Sequence, residues 1–327
     1  MTDSVNLNTD LTKDLGIEYP IIGGPMYPCG NPELVAAISN AGGIGVVQPI
    51  TLTYVNNYEF RAGLRYIKSL SNKPIGMNAL IEQSSKRYRQ KMEAWVDIAL
   101  EEGVRFFITS LGKPDWVVEK AHNHDAKVYH DVTELKWAQK GLDCGVDGLI
   151  AVNNRAGGHA GKRDMRELYE LLSGQGKPLV CAGGIATAED FIAALKLGYA
   201  GVQLGTRFIV TQECTASELY KQAILDATEK DIVMTEKVTG VPVSIINTKD
   251  LKEKGTELSG FSKKMLKGKR SKYLMRMLLA IRSFRQLKAS FQDNSKGPKY
   301  WQAGKSVAGC KSIETVDDII QSFVKAA

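Results

Sequence analysis

Short apolar runs alternate with longer segments of helical periodicity over most of the chain. The runs are rich in β-branched residues and are bounded by glycine, proline or asparagine, which favours buried strands. Strands are predicted at residues 20–23, 45–47, 75–79, 105–109, 127–130, 146–152, 178–181 and 200–204. Between them apolar residues recur every three or four positions, which predicts amphipathic helices. Helices are predicted at residues 32–41, 58–70, 86–102, 115–123, 134–143 and 217–227, and helical patterns also follow the last two strands.

This alternation of strands and helices with short links predicts eight βα units, and therefore an α/β fold built as a (β/α)8 TIM barrel. A doubly wound open sheet is the alternative architecture. It is disfavoured because no G-x-G-x-x-G follows the first strand. In the first barrel helix, Asn31 is a good N-cap, Pro32 suits the first helical position and Gly42 suits a C-cap.

The pattern changes after the eighth barrel helix. Residues 233–246 are β-rich, and residues 249–268 are polar and broken by glycines, which predicts a loop with one short helix. Residues 272–291 predict an amphipathic helix, and packing of its apolar face on the barrel is favoured over a membrane-surface position. A final helix is predicted at 315–325, returning to the barrel.

We therefore divide the chain into a barrel, residues 1–228 and 301–327, and a small, mainly helical C-terminal extension, residues 229–300, near the mouth of the active site. The basic character of the chain belongs to this extension. Residues 249–299 contain 15 Lys/Arg against 4 Asp/Glu, or +11, whereas the formal net charge of the chain is +7. A basic segment suits nucleic acid, anionic lipid or an acidic protein as partner.

The cysteines and the N-terminus indicate a cytoplasmic protein. Five cysteines without metal-ligand spacing, together with a polar N-terminus unlike a signal peptide, favour reduced thiols. No apolar run approaches the roughly 20 residues that span a bilayer. The oligomeric state is left open.

Three consecutive strands end in glycine-containing loops. The sixth is followed by Ala156-Gly157-Gly158-His159-Ala160-Gly161, the seventh by Ala182-Gly183-Gly184-Ile185, and the eighth by Gly205-Thr206-Arg207. In a (β/α)8 barrel the loops after strands seven and eight commonly bind phosphate through backbone N–H groups. Glycines allow close backbone approach, and an imidazole is suited to proton transfer near neutral pH. These loops predict a site for an anionic cofactor beside a general base.

The ordered set of such motifs resembles the nitronate monooxygenase (2-nitropropane dioxygenase-like) family of FMN barrels, which also contains FMN-dependent enoyl-acyl-carrier-protein reductases and some NADH:quinone reductases. Each motif alone is unspecific, but their common order over residues 20–245 is specific. Besides the AGGHAG loop, the matching segments are Pro20–Met26, Asn40–Gly45, Gly76–Asn78, Ala182–Gly184 and Gln203–Phe208.

The resemblance implies FMN as the cofactor and His159 as the catalytic base. It implies cofactor contacts by eleven further residues: Pro25, Met26, Asn78, Gly157, Gly158, Gly183, Gly184, Gln203, Leu204, Gly205 and Thr206. The chain departs from the family at Arg155, where many relatives carry an acid, and at Val152, where they carry glutamine. These departures affect the expected substrate and chemistry more than the expected fold.

The remaining histidines and two other residues are weaker candidates. His122 and His124 lack partners at metal spacing and are expected to be solvated, and no metal site is predicted. His130 ends the fifth strand and is a candidate pocket residue. Trp301 is a possible pocket-facing aromatic residue, and Cys29 is expected to be a packed thiol.

The function expected from the resemblance is oxidation of alkyl nitronates with O2 to a carbonyl compound and nitrite, on a small-molecule substrate. An FMN-dependent enoyl-acyl-carrier-protein or NAD(P)H:quinone reductase is the alternative, and the basic segment would then meet an acidic carrier protein. A nucleic-acid or membrane module is disfavoured because aromatic residues are not interleaved with the basic ones. The physiological substrate and the use of NAD(P)H are left open.

Overall fold

The computed structural model describes residues 5–82, 86–238, 241–257, 285–291 and 300–327, together with five single residues between 258 and 284. Eight parallel strands form a closed barrel in chain order, and β1 pairs with β8 through Ile21 and Val202 to close it. The predicted (β/α)8 fold is therefore confirmed. The strands are β1 Ile21–Gly23, β2 Ile44–Val47, β3 Ile75–Ile81, β4 Phe106–Leu111, β5 Lys127–Val132, β6 Gly148–Val152, β7 Leu179–Ala182 and β8 Gly201–Leu204.

Helices surround the barrel, and the five that follow β1 to β5 lie close to their predicted positions. Alternate strand residues point inward and outward, so the outward ones pack against these helices in one large core. The helices of the described residues are α1 Asp10–Leu15, α2 Pro32–Asn40, α3 Phe60–Leu70, α4 Lys86–Glu101, α5 Asp115–His122, α6 Leu135–Leu142, α7 Met165–Leu172, α8 Ala188–Leu197, α9 Thr206–Ile209, α10 Glu218–Asp226, α11 Lys249–Lys254 and α12 Val316–Ala326.

Helix α1, which the sequence pattern did not predict, closes the N-terminal end of the barrel. Its buried residues Leu11 and Leu15 join the cluster of inward-facing strand residues. Asp14 accepts a hydrogen bond of 2.9 Å from the hydroxyl of Tyr129, whose ring lies inside the barrel. Among the described residues, α1 and aromatic side chains fill this end, so we expect a ligand at the opposite, C-terminal end, where barrel enzymes place their sites.

The start of α2 differs from the prediction. Asn31 occupies the N-cap position, but its side chain makes no capping hydrogen bond. Its Nδ2 instead donates to Glu33 and to the carbonyl of Glu213, and its Oδ1 accepts from the amide of Thr215. The side chain thus ties α2 to the chain after β8, a long-range use that local sequence does not reveal.

After α10 the chain forms a two-stranded antiparallel sheet, β9 Ile232–Thr235 and β10 Val243–Ile246, as the β-rich segment predicted. The short helix expected within 249–268 is α11. The amphipathic helix expected at 272–291 lies largely outside the described residues, although 285–291 is helical. The division into barrel and extension stays a prediction. Within the described part, no helix is long and apolar enough to cross a bilayer.

Candidate active site

The C-terminal rim of the barrel is lined by inward-facing residues whose positions follow from strand alternation. Ile22, Ile108, Tyr129, Ile150 and Val180 belong to one buried cluster inside the barrel. The next inward position on each strand, two residues later, lies one layer nearer the mouth. This rim layer contains Gly24, Gln48, Asn78, Ser110, Asp131, Val152, Ala182 and Gln203.

Asn153, at the end of β6, fixes the shape of the histidine loop. It is fully buried, and its Oδ1 accepts a hydrogen bond of 2.8 Å from the amide of Arg155. Its Nδ2 donates to the carbonyl of Gly183 at 2.8 Å, which couples this loop to the one after β7. The amide of Gly161 returns to the Asn153 carbonyl at 3.1 Å. From sequence alone Asn153 is only the boundary of a strand, so this role was not predicted.

His159 lies at the tip of that loop and is exposed. Its neighbour Gly158 has φ +66° and is held by strand β10, because the amide of Ser244 donates to the Gly158 carbonyl at 2.7 Å. The surrounding protein partly desolvates the imidazole and lowers the pKa of His159 below its usual value. The imidazole is therefore neutral at physiological pH, the form required of a general base.

The loop after β7 is built from two glycines with positive φ, +114° at Gly183 and +81° at Gly184. A Cβ on Gly183 would collide with the side chain of Asn153 and the backbone of Ala156. A Cβ on Gly184 would lie 2.6 Å from Nε of Arg155. Glycine is thus required at both positions, and the side chain of Arg155 covers the second.

Arg155 also forms an ion pair at the edge of this loop. Its guanidinium donates two hydrogen bonds to the carboxylate of Glu229, one of them at 3.1 Å. These hydrogen bonds lower the pKa of Glu229. Arg155, where the resemblance led us to expect an acid, is therefore partnered by a carboxylate from a later part of the chain.

The end of β8 presents an unsatisfied polar atom to the mouth. Oε1 of Gln203 is buried and has no hydrogen-bond partner among the described residues. A Cβ on Gly24 would lie 3.0 Å from Cγ of Gln203, so glycine at the end of β1 leaves room for this side chain. A buried acceptor without a donor is costly unless a ligand supplies one.

A segment near the C-terminus completes this region. The amide of Gly304 donates to Oγ1 of Thr206 at 2.9 Å, and that of Lys305 donates to the Arg155 carbonyl at 2.8 Å. A Cβ on Gly304 would lie 2.6 Å from the amide nitrogen of Gly157. Three loops distant in sequence therefore meet at this point, through backbone groups and the Thr206 hydroxyl. Gly304 was not predicted as a site residue, and a glycine three positions after Trp301 was the only sequence signal for it.

Comparison with known proteins identifies the family. The family model described as nitronate monooxygenase matches residues 8–326 of the chain. The chain belongs to the nitronate monooxygenase family. A probable nitronate monooxygenase of Staphylococcus saprophyticus is 29% identical over 280 residues, covering 73% of this chain and 78% of that protein. The resemblance expected from the motifs is thus confirmed, as is membership of an oxidoreductase family.

The chain is also similar to proteins with other names. A (3aS,4S,5R,7aS)-5-hydroxy-7a-methyl-1-oxo-octahydro-1H-indene-4-carboxyl-CoA dehydrogenase of Rhodococcus jostii is 31% identical over 243 residues, covering 74% of this chain and 66%, just under two thirds, of that protein. FabK of Thermotoga maritima has a TM-score of 0.80 at 25% identity, covering 98% of this chain and 96% of FabK. A nitroalkane oxidase of Streptomyces ansochromogenes has a TM-score of 0.74 at 20% identity, covering 97% of each chain.

Within this nitronate monooxygenase family member, the predicted cofactor residues gather at the mouth from separate parts of the chain. Met26 lies beside Gly205, whose Cβ position is 3.6 Å from the Met26 sulfur. The Met26 carbonyl accepts from Oγ1 of Thr51, in a π-helical turn after β2, at 3.0 Å. Asn78 is buried, and its Nδ2 donates to the Ile108 carbonyl at 3.2 Å.

Leu204 differs from the other predicted contacts. Its side chain belongs to the large core outside the barrel, and its carbonyl accepts the amide of Gly24 at 2.8 Å. Any contact of Leu204 with a ligand would therefore be made by the remaining backbone atoms. Trp301 is also structural, since it stacks on Tyr220 with centroids 5.6 Å apart and donates from Nε1 to the Ser290 carbonyl.

The prediction that His130 on β5 faces the pocket is wrong by one position. His130 points outward, is buried against Gly141 of α6, and forms a hydrogen bond of 2.8 Å between Nδ1 and Thr109. Burial lowers the pKa of His130 to about 4. Because the side-chain direction alternates along a strand, the next residue, Asp131, faces the mouth instead.

Proposed function

We propose that this protein is an FMN-dependent oxidoreductase that oxidises alkyl nitronates with O2 to a carbonyl compound and nitrite. The observation that carries the proposal is the position of His159, a neutral, exposed imidazole on a loop locked by Asn153 to the glycine loop after β7. Membership of the nitronate monooxygenase family supports the same chemistry.

The residues at the mouth fit FMN. The positive-φ glycines Gly183 and Gly184, with Gly205 and Thr206 at the end of β8, form a backbone-lined region suited to a phosphate. The buried Oε1 of Gln203 lacks a donor, and the ring system of a flavin carries an N–H that can serve as one. When bound, FMN supplies the acceptor for substrate electrons and their transfer to O2.

The contacts assigned to the chain in this proposal are those predicted from sequence. Besides the phosphate region, the ring would lie along the backbone of Pro25 and Met26 and the side chain of Asn78. Gly157 and Gly158 would lie beside the ring, in the loop that carries the base His159.

His159 then acts on the proton of the substrate. With a neutral nitroalkane, its neutral imidazole takes the α-proton and leaves the nitronate. With a preformed nitronate that step is already complete, and the imidazole orients the anion.

A flavin-dependent reductase or dehydrogenase is the second candidate. The relative of Rhodococcus jostii is named as a dehydrogenase of a carboxyl-CoA, and the likeness to FabK extends over 98% of this chain. The basic segment 249–299, with its excess of +11, suits an acidic carrier protein as partner.

Anaerobic mixing of the FMN-loaded protein separates the two candidates. Ethyl nitronate is expected to reduce the flavin, seen as loss of its visible absorbance, whereas NADH and NADPH leave it oxidised over minutes. Rapid bleaching by either nicotinamide with no response to the nitronate would replace the proposal with the reductase. Oxygenated turnover with measured nitrite then confirms the product.

A further inference from the structure

Asp131 is an acid at the barrel mouth with a buried carboxyl oxygen, and the proposed chemistry gives it no role. It follows Tyr129 by two positions on β5, and Tyr129 lies in the cluster inside the barrel. Its carboxyl therefore lies in the rim layer. The residue is half-buried, but its Oδ1 is fully buried and has no hydrogen-bond partner among the described residues.

The neighbouring strands β4 and β6 place few polar side chains beside Asp131. In the register of β5 and β6, Asp131 is opposite Ile150, and the next inward residue on β6 is Val152. On β4 the inward residues are Ile108 and Ser110. An acid in such a setting requires either a buried partner or a bound ligand, because an unpaired carboxyl among apolar groups is unfavourable.

The same part of the rim adjoins the histidine loop. A Cβ on Gly161 would lie 3.4 Å from Cβ of Thr133, just after β5, so the chain beyond Asp131 contacts the loop that carries His159. Asp131 and His159 thus belong to the same side of the mouth. A substrate held near the imidazole lies within reach of the side of the mouth that Asp131 lines.

The protonation state of Asp131 follows from its surroundings. Burial alone raises the pKa of Asp131 to about 7, and no charged neighbour contributes. On β5, Tyr129 directs its hydroxyl to Asp14 at the closed end of the barrel. The inward side chains of β4 and β6 do not titrate. His159 titrates below its usual range, so it is already neutral when Asp131 ionises.

We propose that Asp131 is a substrate-binding residue, whose protonated carboxyl donates a hydrogen bond to an oxygen of an anionic nitronate in the barrel mouth. The proposal rests on the nitronate activity proposed above and adds the group that recognises the nitro oxygens. It also predicts a pH limit for binding. Below the Asp131 pKa the acid donates to the anion, and above it two negative charges would share a buried site.

The variants Asp131→Asn and Asp131→Leu test this role. Asparagine keeps the size and a donor but does not titrate, and leucine keeps the approximate size without a donor. The FMN-loaded proteins are titrated with nitrite, which stays anionic over pH 6–9, and binding is followed by the change in flavin absorbance. KM and kcat for ethyl nitronate are measured over the same range.

For the wild type, Kd for nitrite and KM for the nitronate should rise above pH 7, approaching tenfold per pH unit. The rise should be absent in Asp131→Asn, which binds well throughout. Asp131→Leu should bind nitrite weakly at every pH, with an affinity at pH 6 roughly tenfold or more below that of the wild type. Its kcat for the nitronate should change less than its KM, and the variant should retain FMN.

Three results would overturn the proposal: the same pH profile in Asp131→Asn as in the wild type, tight nitrite binding by Asp131→Leu, or no nitrite binding by the wild type. Failure of the proposed function is a different result. If the wild type does not oxidise nitronates but binds nitrite with the pH dependence that Asp131→Asn removes, the anion site stands and the nitronate monooxygenase activity does not.

Discussion

Glycine backbone forms one side of the barrel mouth, at the ends of β7 and β8, whereas side chains form the other, at the ends of β5 and β6. We call the first, residues 182–185 and 205–206, the glycine wall, and the second, Asp131, Val152 and His159, the side-chain wall. The glycine wall is interlocked with other loops through Asn153 and Gly304. The side-chain wall ends in a carboxyl oxygen without a partner.

The two walls therefore suit different tasks: the glycine wall suits cofactor binding, and the side-chain wall suits selection of the reaction. Backbone amides and positive-φ glycines can bind a phosphate group whatever the rest of the ligand is, so the same backbone arrangement can serve different reactions of one cofactor. The side-chain wall in this chain combines a neutral imidazole with a half-buried acid, groups that can recognise a particular substrate. Disturbing the glycine wall should therefore abolish cofactor retention, while disturbing the side-chain wall should change the reaction.

The largest effect is expected from Gly184→Val in the glycine wall. The φ of +81° disfavours valine, and its Cβ would lie 2.6 Å from Nε of Arg155. We expect the purified variant to retain no FMN, measured as the ratio of flavin to protein absorbance. Gly176→Val is the matched control, because φ is +68° there but no atom lies within 4 Å of the Cβ position. Normal flavin content in both variants would contradict the phosphate assignment.

In the side-chain wall, His159→Ala should retain FMN but lose activity on neutral nitroalkanes by roughly 10²–10⁴-fold, the range for a lost general base. Activity on a preformed nitronate should fall less, since its α-proton is already absent. His122→Ala serves as control, because His122 is exposed and bonds to Asp147 at the outside of the barrel. Equal losses on both substrates would assign His159 to positioning instead of proton abstraction.

The glycine wall was predictable from sequence because its requirement is local. Gly183 and Gly184 are recognisable from the residue type alone, and so is a loop that carries a lone histidine after a strand. The order of strands was equally accessible, since apolar runs and helical periodicity alternate without interruption as far as β8. The closed barrel followed from that alternation.

The side-chain wall was less predictable because it depends on direction and on distant contacts. The choice of His130 over Asp131 was wrong by one residue, and the strand continues to Val132, beyond the predicted end. A residue at a strand end can face either way until the register is known. Asn153 and Gly304 act through residues far away in sequence, so their roles became visible only in three dimensions.

A smaller effect is expected from replacing Asn153, which connects the two walls. Asn153→Ala removes the bonds to the Arg155 amide and the Gly183 carbonyl. Each buried group left without a partner costs about 1–3 kcal/mol, so we expect a lower unfolding temperature and weaker FMN retention together. The adjacent Asn154→Ala is the control, because its side chain makes one long bond of 3.4 Å near the surface. Equal stability of the two variants would show that the walls are not coupled through Asn153.

The smallest effect is expected at the outer edge of the glycine wall, where Glu229 pairs with Arg155. Both side chains are more than a third exposed, 35% for Arg155 and 39% for Glu229, so Glu229→Gln should cost less than about 1 kcal/mol at pH 7. The folded-state pKa of Glu229 is lowered by Arg155, so its contribution is present above the unfolded pKa and disappears as pH falls through the folded one. Denaturant unfolding at pH 7 and at pH 3 should therefore show a small difference in stability between wild type and variant at the higher pH and a smaller one at the lower pH. A difference that persists undiminished at pH 3 would mean that Glu229 stabilises the loop through packing and not through its charge.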